Sequence, residues 1–93
     1  MKLKVLSPKR TIFEGDARSI LLAGDLAEFE LLDYHAPILS LLRKGNVVVD
    51  GSMRIPINRG LLKFDRNVCV ILAEEAIHGL ERVREAGLKQ GKV

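Results

Sequence analysis

An acyl-transfer or hydrolytic site needs a nucleophile held beside a base, and this chain offers few candidates for either role. Its two histidines, His35 and His78, fall in different structural contexts, and no serine occupies a Gly-x-Ser-x-Gly turn. The single cysteine, Cys69, lies between Val68 and Val70 in a strand-like run and reads as a small buried hydrophobe, not a reactive thiol. Two His and one Cys at scattered spacings do not make a metal site. No glycine falls in a phosphate-loop spacing followed by Lys-Ser/Thr. No catalytic residue, cofactor site or metal site is therefore expected, and the chain reads as a binding part.

The stretch that calls for explanation is "AEFELLDYHAPILSLLRKG", Ala27 to Gly45. Pro37 removes a backbone donor and pushes Ala36 toward an extended conformation, so the chain must turn or reach a sheet edge there, and the corner should be exposed. Strict alternation puts Glu28 and Glu30 on one outward side while Phe29 and Leu31 point into the core. Spacing alone leaves two readings open. One is a solvated strand face followed by an ordinary loop. The other is a partner-binding tip, since Tyr34 and His35 offer aromatic area and hydrogen bonding of the kind enriched at interfaces.

The elements that carry this corner change character once along the chain. From Lys2 to Leu72 apolar residues come in short runs rich in Val, Ile and Leu, punctuated by Gly, Asp, Asn and Pro. "KLKVL" alternates and is ended by Ser7-Pro8, and "RSILLAGD" is closed by Gly24-Asp25. Asp50-Gly51 supplies the positive φ angles of a tight hairpin between Val47–Val49 and Met53–Ile57. Pro56 then belongs at a sheet edge, and Asp65-Arg66-Asn67 joins a second hairpin. Strands at this spacing indicate an antiparallel β-sandwich or barrel, not a parallel sheet. After Leu72, Ile77, Leu80 and Val83 recur at helical spacing, so one short amphipathic helix is expected, with Gly87 near its end. The expected division is a β-domain over 1–73 and a short helical tail over 74–93.

Composition excludes several classes. The 93 residues suffice for one modest core, burying roughly 60 to 65% of the unfolded surface. Hydrophobic residues make up 47% and charged ones 29%, which excludes a disordered tail. No apolar run approaches the roughly 18 residues needed to cross a bilayer. The basic start has no secretory h-region, and one cysteine agrees with a reducing cytoplasm. The net charge of +3 arises within 1–73, where eleven Lys/Arg face eight Asp/Glu, but the basic residues are scattered and no Trp is present. The footprint of a nucleic-acid binder is weak.

The series "KLKVLSPKRTIFEGDARSILL", "AEFELLDYHAPILSLLRKGNVVV" and "INRGLLKFDRNVCVILAEEAIHG" resembles the epsilon subunit of F-type ATP synthases, matching its N-terminal domain over about 80 positions. The resemblance rests on motifs in combination. An early Pro is followed by a Phe-x-Gly turn, here Phe13-Glu14-Gly15. An acidic-aromatic step, Glu28-Phe29, precedes the corner His35-Ala36-Pro37. A Leu-Leu-x-x-Gly run leads into the hairpin, and Gly60-Leu61-Leu62-Lys63-Phe64 matches the strand before the last one.

The resemblance implies a flattened β-sandwich of about ten short strands, followed here by one short C-terminal helix. It implies a non-catalytic central-stalk subunit at the foot of the rotor, binding the gamma subunit on one surface and the c-ring of the membrane sector at the loop end. Such a subunit couples ion-driven rotation to ATP synthesis. It would sit peripherally on the cytoplasmic side of the plasma membrane, without inserting into it. Glu28, Tyr34 and His35 are then the expected ring-facing residues. Asn58, Arg59, Gly60, Leu61 and Leu62 are the expected gamma-facing ones, where the family has a Ser-Gly-Gly-like turn. The chain departs from the family's Phe-Gly-x-Leu-Pro-Gly-His turn, since Glu30 replaces the first Gly and Asp33-Tyr34 replace Pro-Gly; neither Glu nor Tyr adopts positive φ as cheaply as Gly. The family commonly adds two long inhibitory helices. Only 76–86 stands in their place, so that switch is expected to be absent or much reduced. The alternatives carried are a small basic β-barrel binding nucleic acid, favoured by the pI of about 9.3, and a small carrier or scaffold domain, which lacks a modifiable Lys beside Asp50-Gly51.

Overall fold

The computed structural model describes residues 1–76, and the helix expected over 76–86 falls, apart from Ala76, outside the described residues. Eight strands form in chain order: β1 (Lys2–Leu6), β2 (Thr11–Asp16), β3 (Ser19–Ala23), β4 (Glu28–Leu32), β5 (Ile38–Leu42), β6 (Gly45–Val49), β7 (Met53–Asp65) and β8 (Val68–Glu75). β8 continues through Glu75, into the segment assigned to the tail. Period-two alternation decides which face of each strand is buried. In β1, Leu3 and Val5 are buried while Lys2 and Lys4 are exposed.

The strands pair in the order β2-β1-β8-β7-β6-β3-β4, and β5 pairs with β7. All pairs are antiparallel except β1 with β8, which run parallel. The expected hairpins form. Asp50 and Gly51 take φ of 50° and 75°, and Arg66 and Asn67 take 50° and 59°, so both turns have the left-handed pair that matches strand twist. Pro56 faces a ladder partner only on the β6 side among the described residues.

β7 organises the molecule. Its first half pairs with β6 and its second half lies between β5 and β8, which makes it common to both layers of the sandwich. Ile55 and Ile57 are buried in the first half, and Leu62 and Phe64 in the second. The burial alternation therefore slips by one residue, and the slip falls at the register irregularity between Ile57 and Arg59. An extra residue, Asn58, turns the core face of one layer into the core face of the other. Two of the expected runs are therefore one 13-residue strand, and the described residues form eight strands where about ten were expected. The Ser-Gly-Gly-like turn expected at Asn58–Leu62 is likewise a bulged strand.

A second expectation is corrected at Phe13-Glu14-Gly15. These residues are not a turn but the middle of β2, with Glu14 opposite Lys4. The glycine there makes room for an aromatic ring, since a Cβ on Gly15 would lie 3.2 Å from Cζ of Phe13.

One apolar cluster fills the interior. Phe64, Leu3, Ile20, Leu22, Leu31, Leu62 and Ile71 are all but inaccessible, and among the described residues no polar or charged residue is buried. At one end of the sandwich the Asp50 carboxylate accepts the backbone N–H groups of Arg18 and Ser19 at 2.7 and 3.0 Å. Those bonds hold its pKa below the usual carboxylate value.

Two outcomes follow. A Cβ at position 60 would lie 2.8 Å from the Leu72 carbonyl oxygen, a backbone atom that cannot move aside. Gly60→Ala should cost about 1–3 kcal/mol in urea denaturation. Because the Asp50 pKa is lowered in the fold, its contribution is present above the unfolded value of about 3.9 and is lost as pH falls through the folded value. Asp50→Asn should therefore melt below the parent at pH 7, and the two melting curves should converge in acid.

Candidate functional site

The corner after β4 is exposed, with Tyr34 82% accessible. Tyr34 adopts φ of 63°, the left-handed conformation that the family's glycine would take at no steric cost. Two contacts hold it there. The Tyr34 N–H donates to Oδ1 of Asn67 at 2.7 Å, and the His35 N–H donates to the Leu32 carbonyl at 3.2 Å. The His35 ring meets the buried Phe64 ring edge-on, with centroids 6.3 Å apart, and its Nδ1 lies 2.6 Å from the Ala36 carbonyl oxygen. Asp33, just before the corner, pairs with the Met1 ammonium, which also donates to the Ala17 carbonyl at 2.8 Å. The tip is thus built on the β7–β8 turn and the chain start.

Glu28 is exposed, as is Glu30, while Leu31 is buried and Phe29 packs against the core. The alternation read from the sequence holds. Glu28 opens β4, however, and Tyr34 lies beyond its other end, so about 13 Å of strand separates the two. The structure does not bring Glu28 together with Tyr34 and His35; it sets Glu28 at the start of β4, which among the described residues pairs only with β3, and the other two beyond its far end.

The expected gamma-facing residues divide by side. Asn58 is exposed at the bulge and its Nδ2 donates to the Glu75 carbonyl at 3.4 Å. Exposed Arg59 pairs with Glu74 at 3.3 Å, and Leu61 points outward. Leu62 points the other way and is fully buried, so its side chain belongs to the core and not to a surface.

Leu61 is one member of a feature that the sequence reading missed. Leu41 stands opposite Leu61, Leu61 opposite Leu72, and Leu72 opposite Leu6, so four leucines form a row across β5, β7, β8 and β1. Leu41 is 60% exposed and Leu72 51%. The row lines a groove of about 750 Å³, with Ser7, Pro8, Arg59 and Glu74 at its margins. A signal was available. Each leucine belongs to an adjacent apolar pair, Val5-Leu6, Leu41-Leu42, Leu61-Leu62 and Ile71-Leu72, and on a strand one member of such a pair must face out.

Burial pushes the Cys69 thiol up to about 12, so almost no thiolate exists at neutral pH. Among the described residues no group of three or more His, Cys, Asp or Glu is placed to hold a metal ion.

The chain as a whole matches known proteins in sequence and in fold. The family model described as "ATP synthase, Delta/Epsilon chain, beta-sandwich domain" matches residues 1–79. The chain belongs to this family. It is 33% identical over 98 aligned residues to the ATP synthase epsilon chain of Sulfurovum sp., covering 99% of this chain and 77% of that one. The epsilon chain of Campylobacter concisus is 33% identical over 82 residues, and the match spans 84% of this chain and 64% of the relative. The fold is shared with a chain in the central stalk/c-ring structure of the Tetrahymena thermophila mitochondrial ATP synthase. The TM-score is 0.70 at 14% identity, covering all of this chain and 76% of that one. A chain of the Euglena gracilis mitochondrial ATP synthase gives 0.67 at 18% identity, covering 97% and 67%.

The family's glycine at the corner gives a direct test. Tyr34→Gly should relieve a left-handed side-chain penalty and raise stability by about 1 kcal/mol. Asn67→Ala should lower it by a similar amount, through loss of its bond to the Tyr34 amide. Both are read by thermal or urea unfolding.

Proposed function

We propose that this chain is a central-stalk subunit that joins the gamma subunit of an F-type ATP synthase to the c-ring, so that ion-driven rotation is passed to ATP synthesis without chemistry of its own. The observation that carries the reading is the leucine row on the outer face. An ordered apolar stripe across four strands is what an obligate partner covers, and scattered exposed leucines would need no explanation. Gamma occupies this row, with Asn58, Arg59, Gly60 and Leu61 at its bulged margin, while Leu62 acts only by holding β7 in the core.

The ring contact runs along β4. Because β4 is an edge strand, Glu28 at its start and Tyr34 and His35 beyond its end can lie lengthwise against one surface. Polar loops of a ring suit carboxylates, a phenol and an imidazole better than a leucine stripe does. The subunit would then lie peripherally at the cytoplasmic face of the plasma membrane. Among the described residues no helix is long and apolar enough to cross a membrane. Family membership supports this reading over the nucleic-acid alternative. So does the pairing of Lys2, Lys4, Arg10, Arg59 and Arg66 with carboxylates, which breaks up any basic stripe.

Binding to purified gamma tests the first half. Leu61→Thr with Leu72→Thr should weaken it by about 100-fold, two buried apolar contacts being lost, while the β-branched replacements keep the cross-strand pair uncharged and the fold intact, as circular dichroism checks. Full affinity in that variant rejects the gamma assignment. Glu28→Lys with His35→Ala should leave gamma binding intact and lower ATP-driven ion pumping relative to hydrolysis in the reassembled enzyme.

A further inference from the structure

The turn between β1 and β2, Ser7-Pro8-Lys9-Arg10, stands at the margin of the groove that the leucine row lines, with Ser7 and Pro8 against one end of it. Short surface turns are ordinarily mobile. This one is closed on itself. Ser7 Oγ accepts the Lys9 and Arg10 N–H groups, both at 3.2 Å, and the Ser7 N–H donates to the Arg10 carbonyl at 2.9 Å. Pro8 fixes a further backbone angle.

A closed turn would still swing as a unit about the end of β1, and Glu75, the last residue of β8, stops it. Arg10 Nε donates to Oε2 of Glu75 and Arg10 Nη2 donates to Oε1, both at 3.1 Å, while the Ser7 hydroxyl donates to Oε2 at 3.1 Å. The Glu75 carbonyl accepts from Nδ2 of Asn58 at the β7 bulge, at 3.4 Å. Most surface ion pairs contribute little, because two long side chains must be ordered in water. A two-pronged guanidinium–carboxylate pair fixes direction as well as distance, and the Glu75 side chain is only 16% exposed. Glu75 therefore ties together three segments that border the groove: the turn at Ser7-Pro8, the end of β8 at Glu74, and the bulge beside Arg59.

We propose that Glu75 is a positioning residue for gamma. By holding Arg10 and Ser7 it keeps Leu6 and Pro8 in place as a ready-made wall of the leucine groove, so that an apolar segment of gamma docks without first ordering the turn. Glu75 makes no contact with gamma itself. This rests on the proposed gamma interface and adds to it the device that shapes one end. Ordering a loop at the moment of binding costs affinity. If the untethered turn is correctly placed about one tenth of the time, the apparent affinity falls about tenfold. That loss appears in the association rate, because the encounter must wait for the competent shape.

Binding kinetics with purified gamma, together with NMR relaxation of the chain alone, test this. Arg10→Ala and Glu75→Ala should each bind gamma about tenfold more weakly, with the loss in the association rate and the dissociation rate nearly unchanged. The double variant should be no weaker than either single one, because both break the same tether. In the parent chain alone the Lys9 and Arg10 amides should show order parameters near about 0.85, as in rigid backbone, and values below about 0.6 overturn the proposal. Faster dissociation with unchanged association makes these side chains direct gamma contacts, which also overturns it. If the parent binds gamma and Leu61→Thr with Leu72→Thr weakens binding, but Arg10→Ala and Glu75→Ala bind like the parent, the positioning role is rejected and the gamma groove stands. No binding by the parent chain rejects both. The relaxation measurement uses the parent chain, so it decides whether the wall is preformed even if Glu75→Ala fails to fold.

Discussion

The structure depends on one residue of slippage in β7. A sandwich needs its two layers joined, and here a single strand joins them by belonging to both. That works only if the buried side of the strand changes where the layers meet. Asn58 at the bulge makes that change, so Ile55 and Ile57 fill one layer's core side and Leu62 and Phe64 the other's. Gly60, two positions further on, lets β7 and β8 approach just after the bend, with the Leu72 carbonyl oxygen where a side chain would begin. Without the slip, one half of β7 would turn its leucine and phenylalanine outward and the common core would be lost.

The same slip decides what is outside. Once Leu62 and Phe64 face in, Leu61 and Lys63 must face out, and Leu61 falls into register with Leu41, Leu72 and Leu6. The outer leucine row and the inner core are two consequences of one register. A part built this way is stiff, because the layers share a continuous hydrogen-bonded strand in place of a flexible loop. Such stiffness suits the coupling role proposed above, since a compliant part would store rotation instead of passing it on.

The corner at Tyr34 shows a different compromise. A tyrosine in the left-handed region is strained. It is held by the amide bond to Asn67, while His35 is steadied against Phe64 and Asp33 is tied to the Met1 ammonium. The exposed tip therefore draws its shape from residues far away in sequence. Strain of this kind persists where the surroundings over-determine the conformation, and a glycine would supply the same shape without presenting an aromatic ring at the surface.

Much of this was legible in the residues themselves. Asp50-Gly51 announced its turn because few pairs tolerate two positive φ angles. Glu28 and Glu30 announced an outward side because Phe29 and Leu31 alternate with them. Pro37 announced the exposed corner. These are short-range effects, decided by sterics and by period-two burial within a few residues. The parallel pairing of β1 with β8 was not legible, nor was the double role of β7, nor the alignment of four leucines from four strands. Each is a matter of register between segments distant in the chain, and local propensity does not specify a register that only the closing of a common core can choose. The sequence by itself determined most of the strands and the two tight hairpin turns at Asp50-Gly51 and Arg66-Asn67. The tertiary structure alone decided which leucines stand together outside, because the packing of one side of each strand dictates what remains on the other.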